Sequence, residues 1–180
     1  DTARLLMLDD DYVFTPQTDL TRLAALMDSN SDIDILGGRV QNVPRHEFIF
    51  HGMLDESKGR LTLLRKHAME RRPGFDVVEV IPNFFMAITE RLKLVKWDTE
   101  LKLSEHLDFF ARARGILKVG ICDDVVITHD HGTPSPTYRR MRSRSAQFQR
   151  LFEIKRKGHH VVQSRKVRTE HAVPLRNSRR

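Results

Sequence analysis

Short apolar runs that end in charge alternate along this chain with stretches of helical spacing. Leu5–Leu8 is an apolar run that enters three consecutive aspartates, Asp9, Asp10 and Asp11. Such a run, closed by charge, predicts a buried and parallel strand that delivers its carboxylates to one end of a sheet. Thr15-Pro16 predicts a helix start, with Leu20, Leu23, Leu26 and Met27 recurring at helical spacing up to Ser29-Asn30. Ile33–Leu36 reads as a second strand, closed by Gly37-Gly38. Strand, helix, strand is the α/β signature.

Further on, His46–Leu54 alternates weakly, Asp55–Gly59 carries turn chemistry, and Arg60–Met69 is expected to return as the partner strand of a hairpin. Arg71–Gly74 predicts a loop. Val77–Ile81 predicts a strand ended by Pro82-Asn83, followed by the apolar run Phe84–Ile88 and a short helix capped by Thr89. The clearest helix starts at Ser104: Glu105 and Asp108 suit its positive end, Arg112 and Arg114 its negative end, and Gly115 stands where a helix stops. Ile116–Cys122 and Val125–His129 predict two strands around a turn at Asp123-Asp124, with Cys122 as inert core. A loop rich in Pro and Gly follows. Tyr138–Gly158 predicts one basic helical segment, with weak order from His159 and disorder from Arg165 to Arg180.

Composition refines this picture. The chain has 180 residues, 39% of them hydrophobic, which suffices for one domain with a real core. No apolar run approaches the ~20 residues that span a bilayer, and a single cysteine excludes an internal disulfide framework. The net charge of +7 conceals an asymmetry. From Tyr138 onward 14 basic residues face two acids, whereas Asp1–Thr137 holds 17 basic and 22 acidic residues. The organisation expected is a body over 1–137, a basic helical extension over 138–158 and a basic tail over 159–180. A core strand so near Asp1, with no initiator methionine, leads to the expectation of an N-terminally truncated fragment.

Four places carry polar groups beyond ordinary surface: Asp9–Asp11, Asn83 beside Phe84 and Phe85, Glu105-His106-Leu107-Asp108, and His129-Asp130-His131. All but the helix start follow a predicted strand, so they can converge at one sheet edge. Three adjacent carboxylates repel one another, and a hard divalent cation, Mg²⁺ or Mn²⁺, is the usual compensation. Moving a sugar from a nucleoside diphosphate needs these parts: a metal to neutralise the leaving group, a carboxylate to take the acceptor's proton, and aromatic rings to stack on sugar faces.

The series LLMLDDDYVF, IPNFFMAITERL and EHLDFFARARGILKVGICDDVVITHDH, roughly Leu5–His131, resembles the metal-dependent inverting GT-A glycosyltransferases. Among these it is similar to the animal β-1,4-N-acetylgalactosaminyltransferases of ganglioside and related glycan synthesis. The resemblance implies an α/β, GT-A (Rossmann-like) nucleotide-sugar transferase sheet with flanking helices, its N-terminal, base-binding part missing. It implies Mn²⁺ or Mg²⁺, a UDP-sugar donor carrying GalNAc, and a glycan acceptor on a glycolipid or glycoprotein. It also implies a Golgi lumenal site for a membrane-anchored parent. Asp11 matches the direct metal ligand, Asp9 a contact to ribose or metal, Asp10 a supporting residue, and His129 a further ligand. Asp108 matches the general base, with Glu105 as competitor. Many related enzymes carry a Glu-Asp pair where this chain has Glu105-His106, which leaves the base open among Asp108, Glu105 and His106. Asn83, Phe84, Phe85 and Trp97 are the acceptor-side candidates.

Two other classes compete. LLMLDDDYV also fits the start motif of haloacid-dehalogenase phosphatases, with Asp9 as nucleophile and Asp123-Asp124 able to pose as the second acidic pair, although no convincing Ser/Thr strand end lies between. The basic segment after Tyr138 suits nucleic acid or an anionic membrane by charge, although aromatic interleaving is sparse and no nucleic-acid motif is present.

Overall fold

The computed structural model describes residues 2–57, 60–130, 132, 135–156 and 160–163. In chain order the elements are β1 (Arg4–Met7), β2 (Tyr12–Val13), α1 (Leu20–Ser29), β3 (Ile35–Val43), β4 (Glu47–Phe48), β5 (Gly52–Ser57), β6 (Arg60–Arg65), β7 (Glu70–Arg72) and β8 (Phe75–Val78). They continue as β9 (Phe85–Ile88), α2 (Thr89–Leu92), α3 (Glu105–Ala113), β10 (Val119–Asp130), α4 (Pro136–Arg142), α5 (Ser145–Lys155) and β11 (His160–Gln163). The main sheet runs β1-β9-β3-β10-β8-β7, with β2 added to β10 and β4 to β3. A second sheet, β11-β6-β5, packs Leu54, Leu61 and Leu63 into the core that holds Phe85, Phe109 and Phe110. The opposite face of the main sheet is covered by α1 through Leu23, Leu26 and Met27.

This mixed α/β sheet with flanking helices is the expected class, but its pairing is mostly antiparallel. β1 is a half-buried strand paired antiparallel to β9, not a buried parallel one. An apolar run specifies burial and says little about the direction of its partner. Within the main sheet the parallel pairing is β3 with β10. The two strands expected around Asp123-Asp124 form the single strand β10. Its register against β3 shifts between Cys122 and Val126, so the two aspartates sit in a bulge. Asp123 pairs with Arg39 at 3.6 Å and Asp124 with Arg22 at 3.3 Å, which stabilises a bulge where the residue types suggest a turn. Cys122 is fully buried, and burial with a nearby Asp124 pushes its thiol up to about 12, in keeping with an inert core residue.

Helix starts also differ from the expectation. α1 is capped by Asp19, whose side chain accepts from Arg22 N at 3.1 Å; Thr15 and Thr18 close a turn before it. Ser104 occupies the cap position of α3 without a side-chain bond, and Thr89 lies within α2 rather than capping it. The segment expected as a loop at Arg71–Gly74 is a tight β7–β8 hairpin in which Arg72 opposes Phe75 and Gly74 takes φ +88°. The basic segment is helical, as expected, and is divided into α4 and α5. α5 is anchored to the body: Phe152 is fully buried, Lys155 pairs with Asp98 and Glu100, and Arg156 bonds Glu56 at 3.0 Å. β11 pairs parallel to β6 where weak order was expected. The disorder expected over Arg165–Arg180 lies outside the described residues.

Candidate active site

The topology gathers the polar segments at one end of the main sheet. β1 and β10 run toward it, and antiparallel β9 starts there. Asp9–Asp11 carry the chain from β1 to β2, which pairs with β10 so that Tyr12 opposes His129. β3 runs parallel beside β10 and sets Asn42 in register with His129. Asn83 sits just ahead of β9.

His129 joins two of these segments. Its Nε2 lies 2.9 Å from Asp11 Oδ2 and its Nδ1 lies 2.8 Å from Asn42 Oδ1. The ring is 9% exposed and meets Tyr12 edge-on at 5.2 Å. With Nδ1–H donated to Asn42, Nε2 can offer a lone pair to a cation shared with Asp11. Ligands at right angles around an octahedral cation stand roughly 3 Å apart when each is ~2.1 Å from it, which matches this pair. An outer carbonyl that fixes the imidazole is the usual support for a metal-ligating histidine. Among the described residues no three His, Cys, Asp or Glu side chains are gathered to hold a metal ion. Asp9 does not complete a preformed cage, and His131 lies outside the described residues. The donor set therefore fits a cation held by one carboxylate and one imidazole, with remaining positions open to substrate oxygens and water.

Asp9 faces a different set of partners. Its Oδ1 accepts from Asn83 Nδ2 at 3.0 Å, and the Tyr12 phenol stands close to it. Burial and the two nearby carboxylates push the Tyr12 phenol well above its ordinary range, so it stays a donor. Asn83 Oδ1 lies 2.6 Å from His106 Nδ1. Asp10 is exposed.

The two helix-start acids separate. Glu105 is half-buried, and its Oε2 is buried without a hydrogen-bond partner among the described residues. Burial raises its pKa, helped by the Asp9 charge and opposed by Arg142. Asp108 is 3% exposed, and its Oδ2 accepts from Arg112 Nε at 2.7 Å. Arg112 is itself fixed by the carbonyls of Val95 and Lys96, at 2.5 and 2.9 Å. Asp108, expected as the general base, is therefore set apart from Glu105 by its surroundings. Its carboxylate is occupied by an ion pair within the helix, whereas Glu105 is the one that feels Asp9. Burial pushes the pKa of His106, the third candidate, down to about 4.

Of the acceptor-side candidates, two rings lie in the core. Phe84 and Phe85 are fully buried, seated against Gly37 and Gly38. Trp97 stacks on Phe109 at 3.8 Å and 11° and packs half-buried against the core. Asn83 is the member of that group that reaches the site. The phosphatase reading loses its second acidic pair, because Asp123 and Asp124 are bulge residues held by arginines. Asn42 and Tyr12 went unseen in the sequence. Asn42 could have been found only through the parallel register that sets it beside His129, and Tyr12 by the alternation that turns it inward after Asp11.

A mixed α/β sheet with an acidic loop, an imidazole and a half-buried carboxyl at one end is consistent with a glycosyltransferase domain. The sequence comparisons agree. The chain is 34% identical over 136 residues, 71% of its length, to the human protein named beta-1,4 N-acetylgalactosaminyltransferase 1, and 32% identical over the same share to the mouse protein of that name. It is 31% identical over 137 residues, 74% of its length, to the mouse beta-1,4 N-acetylgalactosaminyltransferase 2. The chain spans about a quarter of the length of these curated relatives (25–26%). No family model matches it. The resemblance to β-1,4-N-acetylgalactosaminyltransferases thus holds over most of the chain.

Proposed function

We propose that this chain carries the metal-binding and acceptor-side part of an inverting, metal-dependent glycosyltransferase site. The donor is a UDP-sugar, with GalNAc taken from the relatives' names, and the acceptor is a glycan hydroxyl on a glycolipid or glycoprotein. The observation that carries the reading is the Asp11–His129 pair standing at the same sheet end as Asp9 and Glu105. Asp11 and His129 hold Mn²⁺ or Mg²⁺, with Asn42 fixing the imidazole. When bound, the cation supplies positive charge to the departing diphosphate. Asp9, oriented by Asn83, contacts the nucleotide ribose or the cation. Glu105 takes the acceptor proton. Its environment raises its basicity above that of an exposed glutamate, which suits a general base working near neutral pH. Attack from the face opposite the leaving group gives inversion in a single displacement.

A Golgi lumenal location belongs to the same proposal. Among the described residues no helix is long and apolar enough to cross a membrane. The test is transfer by the complete gene product from UDP-GalNAc and other UDP-sugars to glycolipid and glycoprotein acceptors, with Mn²⁺. Asp11→Ala is expected to abolish metal-dependent transfer, and Glu105→Gln to lower kcat by about 10²–10⁴-fold. Full transfer by either variant would remove the role given to that residue.

A further inference from the structure

Beside the metal pair, one line of polar contacts runs from the sheet end into the core. Asp9 Oδ1 accepts from Asn83 Nδ2 at 3.0 Å, and Asn83 Oδ1 lies 2.6 Å from His106 Nδ1. An ionised carboxylate accepts hydrogen bonds and cannot donate them. Asn83 must therefore present its NH₂ to Asp9 and its carbonyl to His106. That carbonyl in turn requires a proton on His106 Nδ1. The His106 ring meets Phe110 edge-on at 5.0 Å and Phe50 at 6.0 Å. Burial keeps it neutral by lowering its pKa to about 4, against the opposing effect of the Ile81 backbone, and its Nε2 is buried without a hydrogen-bond partner among the described residues. Its one proton is consequently on Nδ1, whereas a neutral histidine in water favours the Nε2–H form. The tautomer is dictated three residues along a chain of contacts, by the charge on Asp9.

We infer that His106 and Asn83 are positioning residues for Asp9: neutral His106, held as the Nδ1–H tautomer, fixes the Asn83 amide, and Asn83 fixes the Asp9 carboxylate. This rests on the reading of Asp9 as a contact to the donor nucleotide or its cation. The physical need is plain. Asp9 is followed by two more carboxylates, Asp10 and Asp11, and an unrestrained side chain there would swing away from their charge. One fixed donor, the Asn83 amide, holds it in place. A neutral relay does this without adding charge beside Glu105. Linked hydrogen bonds in a partly buried setting polarise and stiffen one another. Loss of an outer partner of this kind costs roughly 10–100-fold in metal affinity.

The experiment has two readouts on the complete gene product. The first is the ¹⁵N spectrum of histidine-labelled protein, in which His106 is expected as the Nδ1–H tautomer between pH 8 and about 5. The second is calorimetric binding of Mn²⁺ with UDP to His106→Leu and His106→Asn, each checked for an intact thermal transition. The asparagine amide nitrogen takes the place of Nδ1, so His106→Asn is expected to bind within about threefold of wild type. His106→Leu is expected to bind about tenfold or more weakly. An Nε2–H spectrum, or equal affinities for the two variants, overturns the relay. If the wild-type protein binds no Mn²⁺–UDP, the glycosyltransferase reading falls, and the tautomer spectrum still decides the relay.

Discussion

A methyl group at Gly38 would strike both the ring of Phe84, just before β9, and the backbone of β10. A Cβ built there lies 2.5 Å from Val125 O and 2.5 Å from Phe84 Cε1. Non-bonded carbon contacts settle near ~3.5 Å, so the overlap is about 1 Å on two sides. Val125 O is backbone, within the bulged strand, and cannot rotate away. Over-packing typically costs 1–3 kcal/mol, and the gain of about 0.4–1 kcal/mol from a stiffer unfolded chain offsets part of it. Gly38→Ala is expected to lose about 3 kcal/mol, given that one obstacle is rigid. Gly120→Ala is the control. Its nearest atoms, Leu36 Cδ1 and Phe75 Cδ2 at 2.9 Å, are side-chain ends that can yield, so a loss of about 1 kcal/mol is expected. The assay is urea unfolding followed by the fluorescence of the single tryptophan, Trp97, with the midpoint shift read at constant m. Phe84 is joined to Asn83, so Gly38→Ala should also loosen the Asn83–Asp9 bond and weaken Mn²⁺–UDP binding. Equal stability of the two alanine variants would refute the reasoning.

Two further outcomes follow from the site. Asp108→Asn removes half of a pair whose other member is still held by the Val95 and Lys96 carbonyls, so a stability loss of about 1–2 kcal/mol is expected. Its kcat, measured on folded protein, should match wild type; a loss like that of Glu105→Gln would restore Asp108 as the base. His106 has a folded pKa lowered to about 4 against an unfolded value near ~6.5. The unfolded chain then binds the proton first, so stability is intact above about pH 6.5 and is lost as pH falls toward 4, by about 3 kcal/mol in all. Chemical denaturation across this range should show that slope, and His106→Asn should lack it.

The sequence was informative where charge ends an apolar run, and silent on pairing direction. Leu5–Leu8 running into Asp9–Asp11 already placed an acidic loop at a sheet end, and the order of later motifs placed Asn83, Glu105 and His129 near it. Hydrophobicity could not say that β1 would meet β9 antiparallel, because both directions bury the same faces. Asp123-Asp124 resemble a turn, yet Arg22 and Arg39, distant in sequence, hold them within a strand. Helical spacing puts Glu105 and Asp108 three residues apart and cannot choose between them. Arg112, four residues on from Asp108, gives the two acids different surroundings by pairing with Asp108. Phe84 and Phe85 follow a polar strand end, which suggested a sugar-stacking surface. Two glycines on a neighbouring strand let them sink into the core instead.

The bond between His129 and Asp11 has a consequence for the order of events in folding. Its two residues are 118 positions apart, and the bond between Asn83 and Asp9 spans 74. Contacts this distant carry a large loop-closure cost before they return any stability, and they are made late. During synthesis the acidic loop emerges before β10 and must wait, with its charges solvated, until the end of that strand has left the ribosome. The binding end of the sheet is thus a part that no intermediate lacking β10 can contain.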